Sequence, residues 1–473
     1  MTTDAELLAA VGRLAARLLR SEGSEPVRAA WPATEVESAL GLALPAQGRP
    51  AGEVLASVAA LLEAAPAMAG PRFWNQLFGG RDLVATAADM LASVANHSLY
   101  TYRAAGPLVV VEQLVLARMA ALAGFDAGEG TICPGGSVSN LCAVVIARGE
   151  AIAASREEGV DGRACRIYAS AEAHYSVRKA AMIAGLGRNG CRDIPCDAQG
   201  RMDPTALDAA LTEDRAAGLT PVLVAATAGT TVRGAFDPLP AIADVCARHG
   251  VWLHVDAAFG GAMLLSAQTR GLLAGVERAD SLTWDAHKVM GVPLLCSALL
   301  MRRRGHLAAQ LGETADYLFQ CDDAELNPGT RALQCGRRDD ALKLWALWQH
   351  QGDAGLAARV ETLRAQALRL SDLASAHPRL QLAEAPPSLT VCLRTPGADA
   401  AAVCDLLAAE RRQLVGHGLI GGERIVRVAI VDPSHDEAAL HALINDIDDA
   451  TQRLALGPPQ TWARLAGHSG GLS

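Results

Sequence analysis

Between residues 166 and 303, short apolar runs alternate with amphipathic stretches of helical period. The strand-like runs are "RIYAS", "CRDIPC", "PVLVAATAG", "VWLHVDAAFG", "SLTWDA" and "CSALLM". Between most of them lie helical patterns such as "TALDAALTEDRAAG" and "LPAIADVCARHG". Asp203-Pro204 and Asp237-Pro238 each read as an N-cap followed by a proline at the first helical position, with Gly218 and Gly250 closing the helices. Strand, helix, strand at this spacing predicts an α/β fold with a largely parallel sheet covered on both faces. Ligands on such sheets bind beyond the C-terminal ends of the strands, so chemistry is expected from residues that end strands.

The flanks read differently. Residues 1 to about 80 are mostly helical in pattern, broken by the irregular "LGLALPAQGRPAG". After about 346 a long helix, "LAARVETLRAQALRLSDLASA", precedes the short strands "SLTVCLRT" and "RIVRVAIV" with a helix between, a smaller α+β pattern. Three domains are therefore expected: 1–80 as a helical segment, 81–346 as the large domain and 347–473 as a small C-terminal domain. The Gly/Pro-rich tail after about 456 is expected to be loosely held.

Composition narrows the function. The chain has 473 residues, 51% apolar and 20% charged, a balance that supports a packed, enzyme-sized body. A formal charge of -9 with no basic stripe argues against a nucleic-acid partner. The start, "MTTDAELLAA", carries Asp4 and Glu6 where a secretory signal would be positive. The longest apolar run, "GPLVVVEQLVLARMAALAG", is interrupted by Glu112, Gln113 and Arg118, which are costly in hydrocarbon, so no membrane span is expected. The eleven cysteines are scattered without a CxxC pair and no HExxH occurs. Reduced core thiols, no metal site and a soluble cytoplasmic protein are the expectation.

Four features at strand ends or helix starts carry chemistry. In "CPGGSVSN", residues 133 to 140, Gly135 and Gly136 let the backbone approach an anion. Ser137 and Ser139 add hydroxyls there, and the helix that follows presents free N–H groups. In "LHVDAAFGG", Asp256 ends an apolar strand, where a buried carboxylate needs a cationic partner such as a protonated pyridine nitrogen. A simple helix cap is the bland reading of the same residue. "SLTWDAHKVMG", residues 281 to 291, puts Lys288 at a strand end, placed for a Schiff base with an aldehyde, with His287 beside it to hold a phosphate or to pack. In "SAEAHYSVRKA", His174 follows a strand and could stack on a flat ring. Each signal is weak alone. Together they specify a flat, phosphorylated aldehyde with a cationic ring, pyridoxal 5'-phosphate.

At these residues the chain also resembles a known family. "ATAGTTVRGAFDPL", "HVDAAFGG", "GVERADSLTWDAHKVMGVPLLCSALL", "YLFQ" and "ALQCGRRDDALKLWALW" resemble the group II pyridoxal-phosphate decarboxylases of the glutamate, cysteine sulfinate and aspartate branch. The resemblance runs from about 71 to 433. It implies the fold-type-I, aspartate-aminotransferase-like α/β fold with a mostly parallel central sheet and a smaller C-terminal α+β domain. It also implies a homodimer with interfacial sites, and α-decarboxylation.

Carried over by position, Lys288 matches the Schiff-base lysine, Asp256 the partner of the pyridine nitrogen and His174 the ring-stacking histidine. Ser137, Ser139 and His287 match phosphate-side positions, and Val138, Thr227 and Ala258 the rest of the cofactor's surroundings. Tyr317 matches the loop tyrosine that reprotonates Cα after CO2 leaves. Arg427 matches the arginine that grips a substrate carboxylate, and Gln76 lies in the segment lining the side pocket. Phe78, Ser98 and Tyr100 look more like the cysteine sulfinate and aspartate decarboxylases than like the glutamate enzymes, and a bulky Phe78 should shorten the pocket. A small acidic L-amino acid is therefore the expected substrate. Glutamate decarboxylation proper, a diaminobutyrate-type decarboxylase, an aldehyde-forming synthase and a non-catalytic cofactor-binding paralogue are the competing readings. His97, Arg103 and "DAHK" for the branch's usual "NPHK" depart from the pattern.

Overall fold

A computed structural model describes residues 3–24, 27, 33–313, 315, 318 and 323–456. Tyr317 lies outside the described residues, as does the tail from 457 onward. The chain divides into two compact units. One comprises Met1–Gly80, Leu368–Ala385 and Val391–Ser473; the other comprises Arg81–Ala367 and Pro386–Thr390. One division falls after Gly80. The second falls inside the helix Ala341–Ala376 rather than in a linker.

The larger unit is built on a seven-stranded sheet. Its strands are β1 (Glu129–Cys133), β2 (Cys165–Ser170), β3 (Cys191–Ile194), β4 (Thr220–Thr227), β5 (Trp252–Asp256), β6 (Ser281–Asp285) and β7 (Ser297–Met301), in the order β1-β7-β6-β5-β4-β2-β3. Pairings β2–β3, β2–β4, β4–β5 and β5–β6 are parallel, while β7 runs antiparallel to both β6 and β1. The mostly parallel sheet expected from the alternating pattern is thus present. Every residue of β6 and β7 is buried, as expected of strands covered on both faces. One core cluster joins Val144, Ala147, Val177 and Ala181 of the covering helices to Ile167, Ala169, Leu223 and Ala225 of the strands.

The helix Pro204–Ala216 starts as expected. Asp203 accepts from the backbone N–H groups of Thr205 and Ala206 ahead of Pro204. Its counterpart differs: the next helix runs Leu239–His249, and Asp237 does not cap it. That carboxylate instead accepts from the N–H of Thr227 and of Met202, each at 2.7 Å, and so pins the C-terminal end of β4. Two backbone donors inside the core outcompete a helix end that Pro238 already serves without a donor. Burial pushes the Asp237 carboxyl up to about 6. Gly250 closes Leu239–His249 in the left-handed region, as expected.

The second unit contains most of a four-stranded sheet formed by β8 (Gln381–Leu382), β9 (Thr390–Arg394), β10 (Gly416–Ile420) and β11 (Glu423–Ala429), in the order β10-β11-β9-β8. The segment around residue 74 joins this unit. The Trp74 indole donates to Gln413 and stacks on His435 at 3.7 Å between ring centroids.

Glu112, which breaks the longest apolar run, is buried in the larger unit in a bidentate pair with Arg337. Among the described residues, no helix is long and apolar enough to cross a membrane. Near that pair, burial and the Glu112 charge push the Asp339 carboxyl up from 3.8 to about 7. The folded state therefore holds this proton more tightly than the unfolded chain. Asp339 adds stability at low pH, and that contribution is lost as pH rises from about 4 through about 7. Asp339→Asn should flatten the fall in stability over this window. It should gain on the order of a few kcal/mol over the parent at pH 8, measured by denaturant unfolding at each pH. Parallel pH profiles for the two proteins would reject this assignment.

Candidate active site

The C-terminal ends of β4, β5 and β6 lie side by side, with Thr227 in register with Asp256 and Asp256 with Thr283. Asp256, 5% exposed, accepts from the Ala258 N–H at 3.1 Å and from Asn140 Nδ2 at 2.8 Å. Asn140 is the fifth residue of the helix Gly136–Ala151, which follows β1 after two residues, so the start of this helix and Asp256 meet at the C-terminal ends of the strands. Thr227 Oγ1 is buried without a hydrogen-bond partner among the described residues.

Lys288 extends from the turn after β6. Its amine lies 3.1 Å from Asp285 Oδ2, and its side chain is 21% exposed. Asp285 is itself buried, and its Oδ1 has no partner among the described residues. A Cβ at Gly136 would sit 2.8 Å from Asp285 Oδ2, so the helix start and this carboxylate can approach only because residue 136 is glycine. Gly135, at φ +94°, takes the chain into the helix through a conformation that other residues rarely adopt.

The chain holds three lysines. Lys343 is 1% exposed and paired with Asp340 and Asp89, and Lys179 lies over the Tyr175 ring at 5.1 Å. Lys288 is the one beside the buried carboxylates at these strand ends.

The histidines take distinct places. His174 Nδ1 is 2.8 Å from Ser176 Oγ, and burial lowers its pKa. His287 is buried with Nδ1 2.8 Å from the Cys296 carbonyl, and burial lowers its pKa also. Ser139 is fully buried with Oγ 2.7 Å from Ser297 Oγ on β7, whereas Ser137 is exposed and Val138 half-buried. Ala258 is buried next to Asp256. Ser98 and Tyr100, both half-buried, flank Leu99, whose N–H donates to the Arg337 carbonyl, and the Tyr100 carbonyl accepts from Gly329.

In the other unit, Arg427 on β11 is 9% exposed and donates to the Asn75 carbonyl, beside the exposed Gln76 and the half-buried Phe78. Burial lowers the Arg427 pKa. The larger unit therefore gathers the anion cradle with Thr227, Asp256, His174 and Lys288, and the smaller unit gathers Gln76, Phe78 and Arg427. The ten described cysteines are free, and no group of three or more His, Cys, Asp or Glu able to hold a metal occurs among the described residues.

Five polar residues of this edge carried no assignment from the sequence: Asn140, Ser176, His254, Thr283 and Asp285. Period-two alternation could have found His254, which points to the same side of β5 as Asp256. Asn140 closes the quoted glycine-rich turn.

An amine, a buried carboxylate with donors of its own, a lone threonine hydroxyl, a flat ring and a glycine-rich helix start suit one kind of ligand, a planar phosphorylated aldehyde with a cationic ring nitrogen. Fold and site together define a pyridoxal-phosphate enzyme. The chain belongs to the pyridoxal-dependent decarboxylases, whose conserved domain matches residues 36–395. It is 42% identical over 363 residues to the cysteine sulfinic acid decarboxylase of Homo sapiens, covering 76% of this chain and 74% of that one. It is 41% identical over 327 residues to the acidic amino acid decarboxylase GADL1 of Mus musculus, covering 68% and 60%. The crystal structure of mouse CSAD in apo form superposes with a TM-score of 0.89 at 33% identity, covering 95% of this chain and 99% of that one. Its cofactor is pyridoxal 5'-phosphate.

With three lysines, the attachment point is easily read. Borohydride reduction of the holoenzyme should fix the cofactor to the peptide containing Lys288. Lys288→Ala should yield no modified peptide and should release the cofactor on dialysis. Modification at Lys179 or Lys343 would reassign the site.

Proposed function

We propose that this enzyme removes the α-carboxylate of a short acidic L-amino acid, cysteine sulfinate or aspartate ahead of glutamate, and releases the amine and CO2. The observation that carries the substrate reading is the grouping of Arg427, held by the Asn75 carbonyl, with Gln76 and the bulky Phe78 in one unit. A guanidinium suits a carboxylate or sulfinate, and an aromatic ring shortens the space for the side chain. The similarity to a cysteine sulfinic acid decarboxylase and to an acidic amino acid decarboxylase supports the same reading.

When bound, pyridoxal phosphate supplies a sink for the electron pair of the breaking Cα–carboxylate bond. The rest is the chain's work. Lys288 would hold the cofactor through its amine, with Asp285 orienting that amine from 3.1 Å. Asp256, fixed by Asn140 and Ala258, would keep a proton on the ring nitrogen. His174 would cover one face of the ring, and the turn with Gly135, Gly136, Ser137, Val138 and Ser139 would cradle the phosphate with His287, while Thr227 and Ala258 complete the wall. Ser98 and Tyr100 line the substrate side in this reading, and Tyr317 gives its hydroxyl proton to Cα once CO2 has left.

Two wider statements belong to the same proposal. The working form is a homodimer. The helix Leu83–Ala95 exposes Leu83, Val84, Met90, Leu91 and Val94, and the helix Pro107–Leu122 exposes Val110 and Leu114, an apolar surface of the kind that marks association. The enzyme works in the cytoplasm, which its free buried thiols support. Light scattering should return twice the 49.2 kDa of one chain, and a single-chain mass would reject the dimer.

The substrate reading is tested by CO2 and amine release from the purified holoenzyme given cysteine sulfinate, aspartate, glutamate, cysteate or diaminobutyrate. The short acids should lead. Phe78→Ala should move the kcat/KM ratio toward glutamate by roughly 10-fold or more, the worth of about one methylene in a pocket. In the same assay Tyr317→Phe should retain cofactor and lose amine yield. Preference for glutamate or diaminobutyrate in the parent enzyme would overturn the short-acid reading.

A further inference from the structure

We propose that Asn140 is a positioning residue that ties Asp256 to His174 through one carboxamide, held in one orientation by Asp256 on its nitrogen with Thr283 and His254 on its oxygen; the idea rests on the roles proposed above for Asp256 and His174. Asn140 is 2% exposed. Its Nδ2 donates to Asp256 Oδ2 at 2.8 Å and to Ser176 Oγ at 3.0 Å. Its Oδ1 lies 2.9 Å from Thr283 Oγ1 and 3.1 Å from His254 Nε2. Both donors and both acceptor positions of the amide are therefore in use.

Which way the amide faces is decided at the Asp256 end of the chain of contacts, and the Trp252 end is compatible with it. The Asp256 carboxylate can only accept, and the Trp252 indole can only donate. Trp252 Nε1 donates to Ser281 Oγ at 2.9 Å, and Ser281 Oγ is 2.8 Å from His254 Nδ1. With Nδ2 fixed toward Asp256, Oδ1 faces His254 Nε2, which must then carry the ring proton; Nδ1 is left as an acceptor, and Ser281 Oγ donates to it while accepting from Trp252. Full burial lowers the His254 pKa to about 4, so at neutral pH the ring carries the single N–H that this order requires. Turning the amide over would set its oxygen against the Asp256 carboxylate, which has no proton to offer.

The same order continues outward. Ser176 Oγ, already accepting from Asn140, gives its proton to His174 Nδ1 at 2.8 Å, and the Ser176 backbone N–H joins at 3.3 Å. His174 is then an acceptor at Nδ1 and carries its proton on Nε2. A donor on Nδ1 favours the neutral ring. The charged groups that act on His174 are Asp256 on β5, Lys288 in the turn after β6, Asp285 at the end of β6, and Lys179 on the helix Ser176–Ile183; His254 feels Asp256.

A buried asparagine kept only for packing would make a different prediction from one kept for its donors. Asn140→Asp conserves shape but faces Asp256 with a second carboxyl, and two carboxyls that close can share the site only with a proton between them. Reconstitution of the apoenzyme with pyridoxal 5'-phosphate should then give a Kd within about threefold of the parent near pH 6 and at least about tenfold weaker near pH 8. Ser176→Ala removes only the arm to His174. It should leave the Kd within about threefold and move the acidic limb of the kcat profile to higher pH, because His174 loses a donor that favoured its neutral form.

Asp256→Ala is the control for the underlying roles and should weaken the cofactor at every pH. Unchanged affinity in Asp256→Ala would remove the reading on which the proposal rests. With Asp256→Ala weakened, an Asn140→Asp affinity equal to the parent at both pH values, or reduced equally at both, would overturn the positioning role alone. Should Asn140→Asp not fold, an unmoved acidic limb in Ser176→Ala overturns it instead.

Discussion

The site depends on a carboxylate buried at the end of a central strand. Asp256 is 5% exposed, and a carboxylate removed from water is costly unless donors or a cation face it. A parallel sheet makes such a position available, because the C-terminal ends of neighbouring strands open together onto the helix starts that follow them. Here the Ala258 N–H comes from the turn after the same strand and the Asn140 amide from the helix after β1. These donors hold the group in place without neutralising it. A cationic ring nitrogen fits what they leave open, and this is why the same edge also needs an anion cradle and an amine.

Much of that edge was legible in the sequence, because strand ends, proline-started helices and glycine turns are local signals. The order of strands was not, since nothing local says that β7 inserts antiparallel between β6 and β1. Asp237 shows the limit of capping rules: the pattern reads as a helix start, yet the carboxylate serves two core N–H groups far apart in sequence. Glu112 shows another. It reads as a break in an apolar run, and its partner Arg337 lies 225 residues away, where no periodicity points to it. The polar residues around Asn140 were invisible for the same reason. Each is ordinary alone, and the meaning lies in which hydroxyl faces which amide.

Lys288 and Asp285 refine the chemistry of the amine. Asp285 gives the lysine an ionic partner at 3.1 Å inside a buried setting. The pair compensates for burial on both sides, since each charge meets the other instead of water. The scarcity of lysine sharpens the point. Lys343 is held in a buried ionic cluster and Lys179 lies over a tyrosine ring, and most of the chain's remaining positive charge is arginine, which does not form imines. An aldehyde cofactor therefore has few competing amines on this protein.

Substrate choice is set by weaker physics than cofactor capture. Holding a phosphorylated aldehyde draws on charge, burial and covalent attachment, each a large effect, and these leave clear marks in the strand-end residues. Telling a one-methylene acid from a two-methylene acid turns on about 1 to 3 kcal/mol, carried by the size of a few side chains, Phe78 among them in the proposed reading. In the proposed substrate reading Arg427, buried on β11 and fixed by the Asn75 carbonyl, sets the charge that a substrate must bring but not its length. A scaffold of this kind can therefore keep its chemistry while its preference drifts among acidic amino acids, because a change of side-chain volume alters a small difference and leaves Lys288, Asp256 and the glycine-rich turn as they are.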